Sequence, residues 1–344
     1  MVLSELGWND FFQEQLRDGV PGRVASSVRE RFLVRTETGE VEVRPSGRLR
    51  RLSREWPAVG DWVVLRENAP VIDRVLTRMS AVIRKQPGKE LREQVLAANV
   101  DVLFIVSGMD RDYNPRRIER YLVLAESSGA RPVIVLNKVD LVSELGLSVK
   151  EITSEIRSLS PISPVLLVSA ASGQGLERFA SLFTEGETGA LVGSSGVGKS
   201  TIINRLLGEQ RQNTCSVRAD DGRGRHTTTH RRLFVMPGGW LLIDMPGLRE
   251  IQLWTDDESV CSSFADVQQV AQLCRFRDCS HTTEPSCAVR TQLDEERLSN
   301  YHKLQRELAY LDRRSDGRLA REERQRWKSM EKSLRRHPKQ SRTL

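Results

Sequence analysis

At about one domain per 150 residues, a chain of 344 residues with 38% hydrophobic content holds two or three domains, each large enough to bury a core. Its longest apolar run, Val102 to Val106, is far short of the roughly 20 residues that cross a bilayer, and MVLSELGWND lacks the basic start and apolar stretch of a leader, so a soluble cytoplasmic protein is expected. The 53 Lys and Arg against 46 Asp and Glu leave a net charge of +7, and Arg313 to Leu344 alone holds twelve bases and four acids, which points to a polyanionic partner such as nucleic acid.

Within residues 1–20, Leu3, Leu6, Trp8, Phe11, Phe12 and Leu16 predict one short amphipathic helix, ended by Gly19 and Pro21, as an N-terminal helical arm over 1–21. Residues 22–90 change to short alternating runs, VASSV, RFLVRT, EVEVRP, DWVVLRE and VIDRVL, as expected of a five-stranded OB-fold β-barrel. Fifteen Lys and Arg against eight acids between Gly22 and Lys89 suit an RNA-binding face, the alternative being a basic barrel that serves only as a structural adaptor. From 91 to 253 the period shifts to strands (VDVLFIV, then 132–136, 165–168, 189–192 and 240–243) alternating with helices near 115–127, 149–159 and from Lys199. That is an α/β domain with a mostly parallel sheet. Residues 254–344 combine a Cys/His cluster with charged helical sequence over Leu293 to Leu311 and a basic C-terminal helix interrupted by Trp327, and read as a largely helical zinc-binding domain.

The α/β segment carries a complete G-x-x-x-x-G-K-[ST] phosphate loop: Gly193, Ser194, Ser195, Gly196, Val197, Gly198, Lys199, Ser200 and Thr201. Its glycines let backbone N–H groups converge on a phosphate at a helix N-terminus, where the helix dipole also favours negative charge. Lys199 would reach the β- and γ-phosphates, and Ser200 would offer a hydroxyl to Mg²⁺, which prefers oxygen ligands. Asn137, Lys138, Val139 and Asp140 form N-K-x-D directly after an apolar strand. The Asp140 carboxylate can accept from both N1–H and the N2 amine of guanine, a donor pair that adenine lacks. Ser169 and Ala170 end the next strand and place a backbone amide where it could meet the guanine oxygen. Asp244 and Gly247 give D-x-x-G, the carboxylate for Mg²⁺ and the glycine amide for the γ-phosphate. Because N-K-x-D precedes the phosphate loop, the sequence predicts a circularly permuted P-loop GTPase domain.

Between the phosphate loop and D-x-x-G, residues 222–230 have the polar, threonine-bearing character of a switch, with Thr228 or Thr229 as the Mg²⁺ ligand. The place often taken by a water-orienting glutamine is Leu248, so unaided turnover should be slow. His226 is the candidate catalytic residue, its alternative a solvated loop histidine. Cys274, Cys279, His281 and Cys287 make C-x4-C-x-H-x5-C, a Cys3His set suited to one closed, structural zinc.

In this order the motifs resemble the circularly permuted ribosome small subunit-dependent GTPase family (RsgA/YjeQ), over nearly the whole chain. The resemblance implies an OB-fold, a permuted GTPase and a zinc domain, with GTP hydrolysed to GDP under stimulation by the small ribosomal subunit during its late maturation; rRNA is the expected contact and a monomer the expected state. It also supports a catalytic His226, and only Met245, where Thr is more usual, departs from it. The reading from another class is a GTP-gated RNA-binding scaffold that does not hydrolyse, motivated by Leu248.

Overall fold

The structure is a computed structural model that describes residues 2–51, 56–85, 93–208, 231–245, 260 and 263–310. The chain divides into two units, residues 1–85 with 93–255, and residues 86–92 with 256–344.

In the first unit the alternating runs fold as β1 (Val20–Val28), β2 (Arg31–Thr36), β3 (Gly39–Pro45), β4 (Trp62–Leu65) and β5 (Val71–Val75). Antiparallel β1–β2–β3 and β4–β5 pairs are joined by a parallel β3–β5 pairing, and β4 returns to β1 with Val20 opposite Leu65. A closed five-stranded, OB-like barrel results, with Val24, Phe32, Val34, Val43 and Ile72 buried as strand alternation requires.

The single helix expected over residues 1–20 is not formed. A 3₁₀ turn at Leu3–Leu6 and a short α1 (Asp10–Gln13) stand in its place, and the chain is already extended at Val20. The break is Gly7, whose φ of +83° suits glycine and whose hypothetical Cβ would sit 2.6 Å from the Gly186 carbonyl oxygen. The apolar residues instead cap the barrel: Trp8 meets Trp62 edge-on at 4.7 Å, and Phe12 lies 5.8 Å from the same ring.

After the barrel, β6 (Ala81–Lys85) and β7 (Glu93–Ala98) form a separate antiparallel pair. The predicted α/β segment follows. Strands β8 (Val102–Gly108), β9 (Arg131–Asn137), β10 (Val165–Leu167), β11 (Thr188–Gly193) and β13 (Leu241–Asp244) are parallel in the order β10-β9-β8-β11-β13. With the further helices α2 (Gly47–Arg51), α3 (Pro115–Ser128), α4 (Val149–Leu159) and α5 (Lys199–Leu207), the last three lie in the strand connections of this sheet. Asn114 caps α3 by accepting from the Arg117 amide at 3.0 Å, and Pro115 fits the first helical position.

Three strands were not legible in the sequence, the pair β6 and β7 and a third beyond the phosphate loop. β12 (Arg232–Val235) lies antiparallel to β13 and bridges to β1 at Ser26 opposite Arg232, so barrel and α/β sheet are one continuous sheet. Beside this seam the fully buried Arg23 donates to the carbonyls of Leu6, Gly60 (3.2 Å) and Asn99 (3.1 Å) and to Thr188 Oγ1 at 2.8 Å. Its burial pushes the guanidinium down to about 10, partly offset by Asp101 and Asp61.

The second unit contains α6 (Ala265–Ala271), α7 (Ala288–Gln292) and a helix over 295–310. Val260, Phe264, Val267, Val289 and Leu304 are buried there, and Arg297 stacks on Phe264 at 4.0 Å while pairing with Asp266 at 2.9 Å. The basic end expected beyond residue 310 lies outside the described residues. Among the described residues no helix is long and apolar enough to cross a membrane.

Candidate nucleotide site and metal cluster

Strand register brings Gly108 beside Asn137, Leu167 beside Leu136, Val106 beside Gly193 and Leu191 beside Asp244. The N-K-x-D, Ser-Ala, phosphate-loop and D-x-x-G sequences therefore begin at one edge of the sheet, at the carboxyl ends of its parallel strands, where open α/β sheets bind ligands.

Asn137 ties three of these segments together. It is buried, donates from Nδ2 to the Val197 carbonyl at 2.8 Å, and accepts at Oδ1 from the Ala170 amide at 2.9 Å. Two motifs sixty residues apart are joined by one side chain. Gly198 is required beside it, since a Cβ there would lie 2.3 Å from Asn137 Nδ2 and its φ is +102°. Lys138 adopts a left-handed conformation, φ 68°, and pairs with Asp110 at 2.6 Å. The following 3₁₀ turn, Val139–Leu141, presents Asp140 to solvent. Ser169 is buried, its Oγ accepting from the Ser172 amide at 3.2 Å.

The phosphate loop turns through Gly193, Gly196 and Gly198, all at positive φ, into α5. Ser195 and Gly196 are exposed, Val197 is buried in the core, and Ser194, Ser200 and Thr201 are half-buried. Lys199 is buried and donates to the carbonyls of Gly193 (2.9 Å) and Ser194 (2.7 Å). Desolvation pushes its ammonium down to about 8, against the opposing pull of Asp244 and Asp112. Asp244 is itself buried at the end of β13. The hydroxyl of Ser200 and the carboxylate of Asp244 are hard oxygen donors of the kind Mg²⁺ takes. His226, Thr228, Thr229 and Gly247 lie outside the described residues.

Two residues of this site were not read from the sequence. Asp110 holds Lys138, and Asp112 accepts from Ser194 Oγ while pairing with Arg117 at 2.7 Å. Both belong to the D-R-D-Y-N-P stretch that follows β8 and leads into α3. Its position at a strand's carboxyl end was the available signal.

In the second unit the Cys274, Cys279, His281 and Cys287 ligand atoms lie within 4.8 Å of one another. Cys274 Sγ is 3.6 Å from His281 Nδ1 and 3.9 Å from Cys287 Sγ, and His281 Nδ1 is 3.4 Å from Cys287 Sγ. A tetrahedral zinc with bonds of about 2.3 Å to sulfur and about 2.0 Å to nitrogen spaces its ligands roughly 3.5–3.8 Å apart, so the donor set fits. Glu284, also unread in the sequence, fastens the intervening loop by accepting from the amides of Ser280, Thr282 and Thr283 at 2.9, 3.0 and 3.1 Å. The Ser280 hydroxyl, with the amides of Ser280, Glu284 and Thr282, holds its carboxyl down at about 2.

The RsgA GTPase family profile matches residues 75–254. A relative from Opitutus terrae, a small ribosomal subunit biogenesis GTPase RsgA, is 46% identical over 96% of either chain. The chain belongs to the RsgA GTPase family. A second RsgA relative, from Vibrio parahaemolyticus, is 42% identical over 90% of this chain and 86% of its own. Among solved structures, YjeQ from Thermotoga maritima is 27% identical with a TM-score of 0.59, covering 84% of this chain and 98% of that one. YloQ, described as a circularly permuted GTPase, shares the fold at 22% identity and a TM-score of 0.58, covering 85% of this chain and 96% of its own. The protein is thus a circularly permuted GTPase of the RsgA type, with an OB-like barrel before the GTPase core and a Cys3His cluster after it.

Proposed function

We propose that this RsgA-family GTPase binds the small ribosomal subunit and assists its late maturation, hydrolysing GTP to GDP and phosphate under stimulation by the subunit. The observation that carries the reading is Asn137, which links the guanine-reading turn, the Ser-Ala loop and the phosphate loop into one site, in a chain related over almost its full length to small ribosomal subunit biogenesis GTPases.

Asp140 reads the guanine edge, Lys138 and Val139 shape its turn, and the Ala170 amide lies beside the base. Residues Gly193 to Thr201 wrap the phosphates, with Lys199 as their counter-charge. Ser200, Asp244 and one of Thr228 or Thr229 hold Mg²⁺, which when bound screens the charge between phosphates. Gly247 donates its amide to the γ-phosphate, and His226 orients water or stabilises charge in the switch, the task Leu248 cannot perform. One structural zinc sits on Cys274, Cys279, His281 and Cys287. The barrel over 22–90 and the domain over 254–344, with its basic end, contact rRNA while the 91–253 domain turns over nucleotide.

Phosphate release from GTP, measured with purified protein alone and with added small subunits, tests the proposal. Slow turnover accelerated by subunits, competed by GDP and not by ATP, is expected. Binding of GTP to the subunit complex with no turnover under either condition overturns it in favour of the non-hydrolytic scaffold.

A further inference from the structure

Between two of the metal-cluster cysteines, the run Arg275-Phe276-Arg277-Asp278 faces solvent along its whole length. Phe276 is 39% exposed, and Leu273, on the other side of Cys274, is 66% exposed. Two large apolar side chains left exposed within four residues, on a loop fixed at both ends, are available for contact with a partner. The guanidinium of Arg275 lies over the Phe276 ring, 5.6 Å from its centroid, so the ring already holds a cation beside its exposed part. Loop mobility does not account for the exposure, because Cys274 and Cys279 converge with His281 and Cys287 and Glu284 pins the adjoining amides.

We propose that Phe276 is a base-stacking platform for single-stranded RNA, with Arg275 and Arg277 holding the phosphodiesters on either side. An aromatic face stacks any base regardless of sequence, and a guanidinium pairs with phosphate and stacks as well. Two cations flanking the ring in sequence against one acid, Asp278, favour a polyanion over an apolar protein groove. Leu273, three residues before the ring and 66% exposed, is a second apolar side chain that a ribose or base could cover. The metal cluster gives the platform its rigidity, so little ordering entropy is lost on binding. The inference rests on the proposed ribosomal role for its biological RNA, and it is tested on RNA alone.

The test is fluorescence anisotropy of a labelled oligouridylate with the full chain, across a salt series, beside zinc content and unstimulated GTP turnover. Phe276→Ala is expected to weaken binding about tenfold with an unchanged salt slope, whereas Phe276→Tyr retains affinity. Arg275→Ala with Arg277→Ala should lower the salt slope by about 1.4, roughly 0.7 for each single-strand phosphate that no longer has a guanidinium partner. Metal content and basal turnover stay at the parent level. Should Phe276→Ala shed its metal, the comparison passes to Phe276→Leu, which keeps apolar bulk without a ring face and must bind as weakly as the alanine is expected to. Equal binding by parent and Phe276→Leu overturns the platform. So does a Phe276→Ala chain that binds oligouridylate normally yet fails to cosediment with small subunits, because the surface would then be meeting protein. If the variants behave as expected but subunits never stimulate turnover in the parent chain, the platform stands and the ribosomal reading falls.

Discussion

Asn137 satisfies a donor and an acceptor from different segments, and both of its partners are close to the phosphate loop. Asn137→Ala leaves the Val197 carbonyl and the Ala170 amide unpaired, which costs about 1–3 kcal/mol and loosens both loops at once. Urea denaturation should register the loss of stability, and fluorescent-nucleotide titration should show affinity for GDP falling at least tenfold. Lys199 makes a second prediction with a definite sign. Burial lowers its ammonium to about 8, whereas a bound phosphate stabilises the charged form. Above that pH, binding must therefore take up a proton, so affinity for GTP is level below about 8 and declines by up to about tenfold per pH unit above it. Calorimetric titration over the neutral to alkaline range checks this. Lys199→Ala should bind weakly at every pH and lose the slope.

Among the elements, those whose own residues dictate their conformation were legible in the sequence. Barrel strands announce themselves by alternation, α3 by its Asn-Pro start, and the phosphate loop by glycines that must take positive φ. What was hidden depended on partners. β12 is four residues long and gains its identity from β13 on one side and Ser26 on the other. The arm has a helical spread of apolar residues, yet the approach of Gly7 to Gly186 breaks it and Trp62 draws those residues onto the barrel. Glu284 carries no signal in the sequence, because its role comes from the Ser280, Thr282 and Thr283 amides that the loop folds around it. The Cys3His loop was legible for the opposite reason, because four soft donors at that spacing have few other uses. Its dependence on metal is an element-scale prediction: a zinc chelator, or Cys279→Ser, should release one equivalent of metal and lower the melting temperature of the 256–344 unit, leaving GDP affinity at the parent value. Calorimetry with a colorimetric zinc assay reads both.

At the scale of the molecule, Arg23 and the Ser26–Arg232 bridge fuse barrel and GTPase sheet. Arg23 donates to the arm, the barrel, the chain entering β8 and the start of the phosphate-loop strand. Arg23→Met retains bulk but abandons four buried acceptors, and should cost at least ~3 kcal/mol. The first unit should still unfold in a single denaturation step in the parent chain, with barrel tryptophan fluorescence and GTP protection lost together. Separate transitions would contradict the fused sheet.

That fusion has a further consequence, carried by β1 alone. Its first four residues face β4, Ser26 faces β12, and β2 pairs with it from Arg23 to Val28, with a register shift between Val24 and Ser26 marking the handover. A fragment trimmed of its first eighty residues would lose the Ser26–Arg232 bridge and leave β12 as an edge strand, inviting another chain to add a strand. Homologous swaps at this boundary should therefore exchange β1 and β12 as a matched pair, and truncations that keep the nucleotide core alone should aggregate.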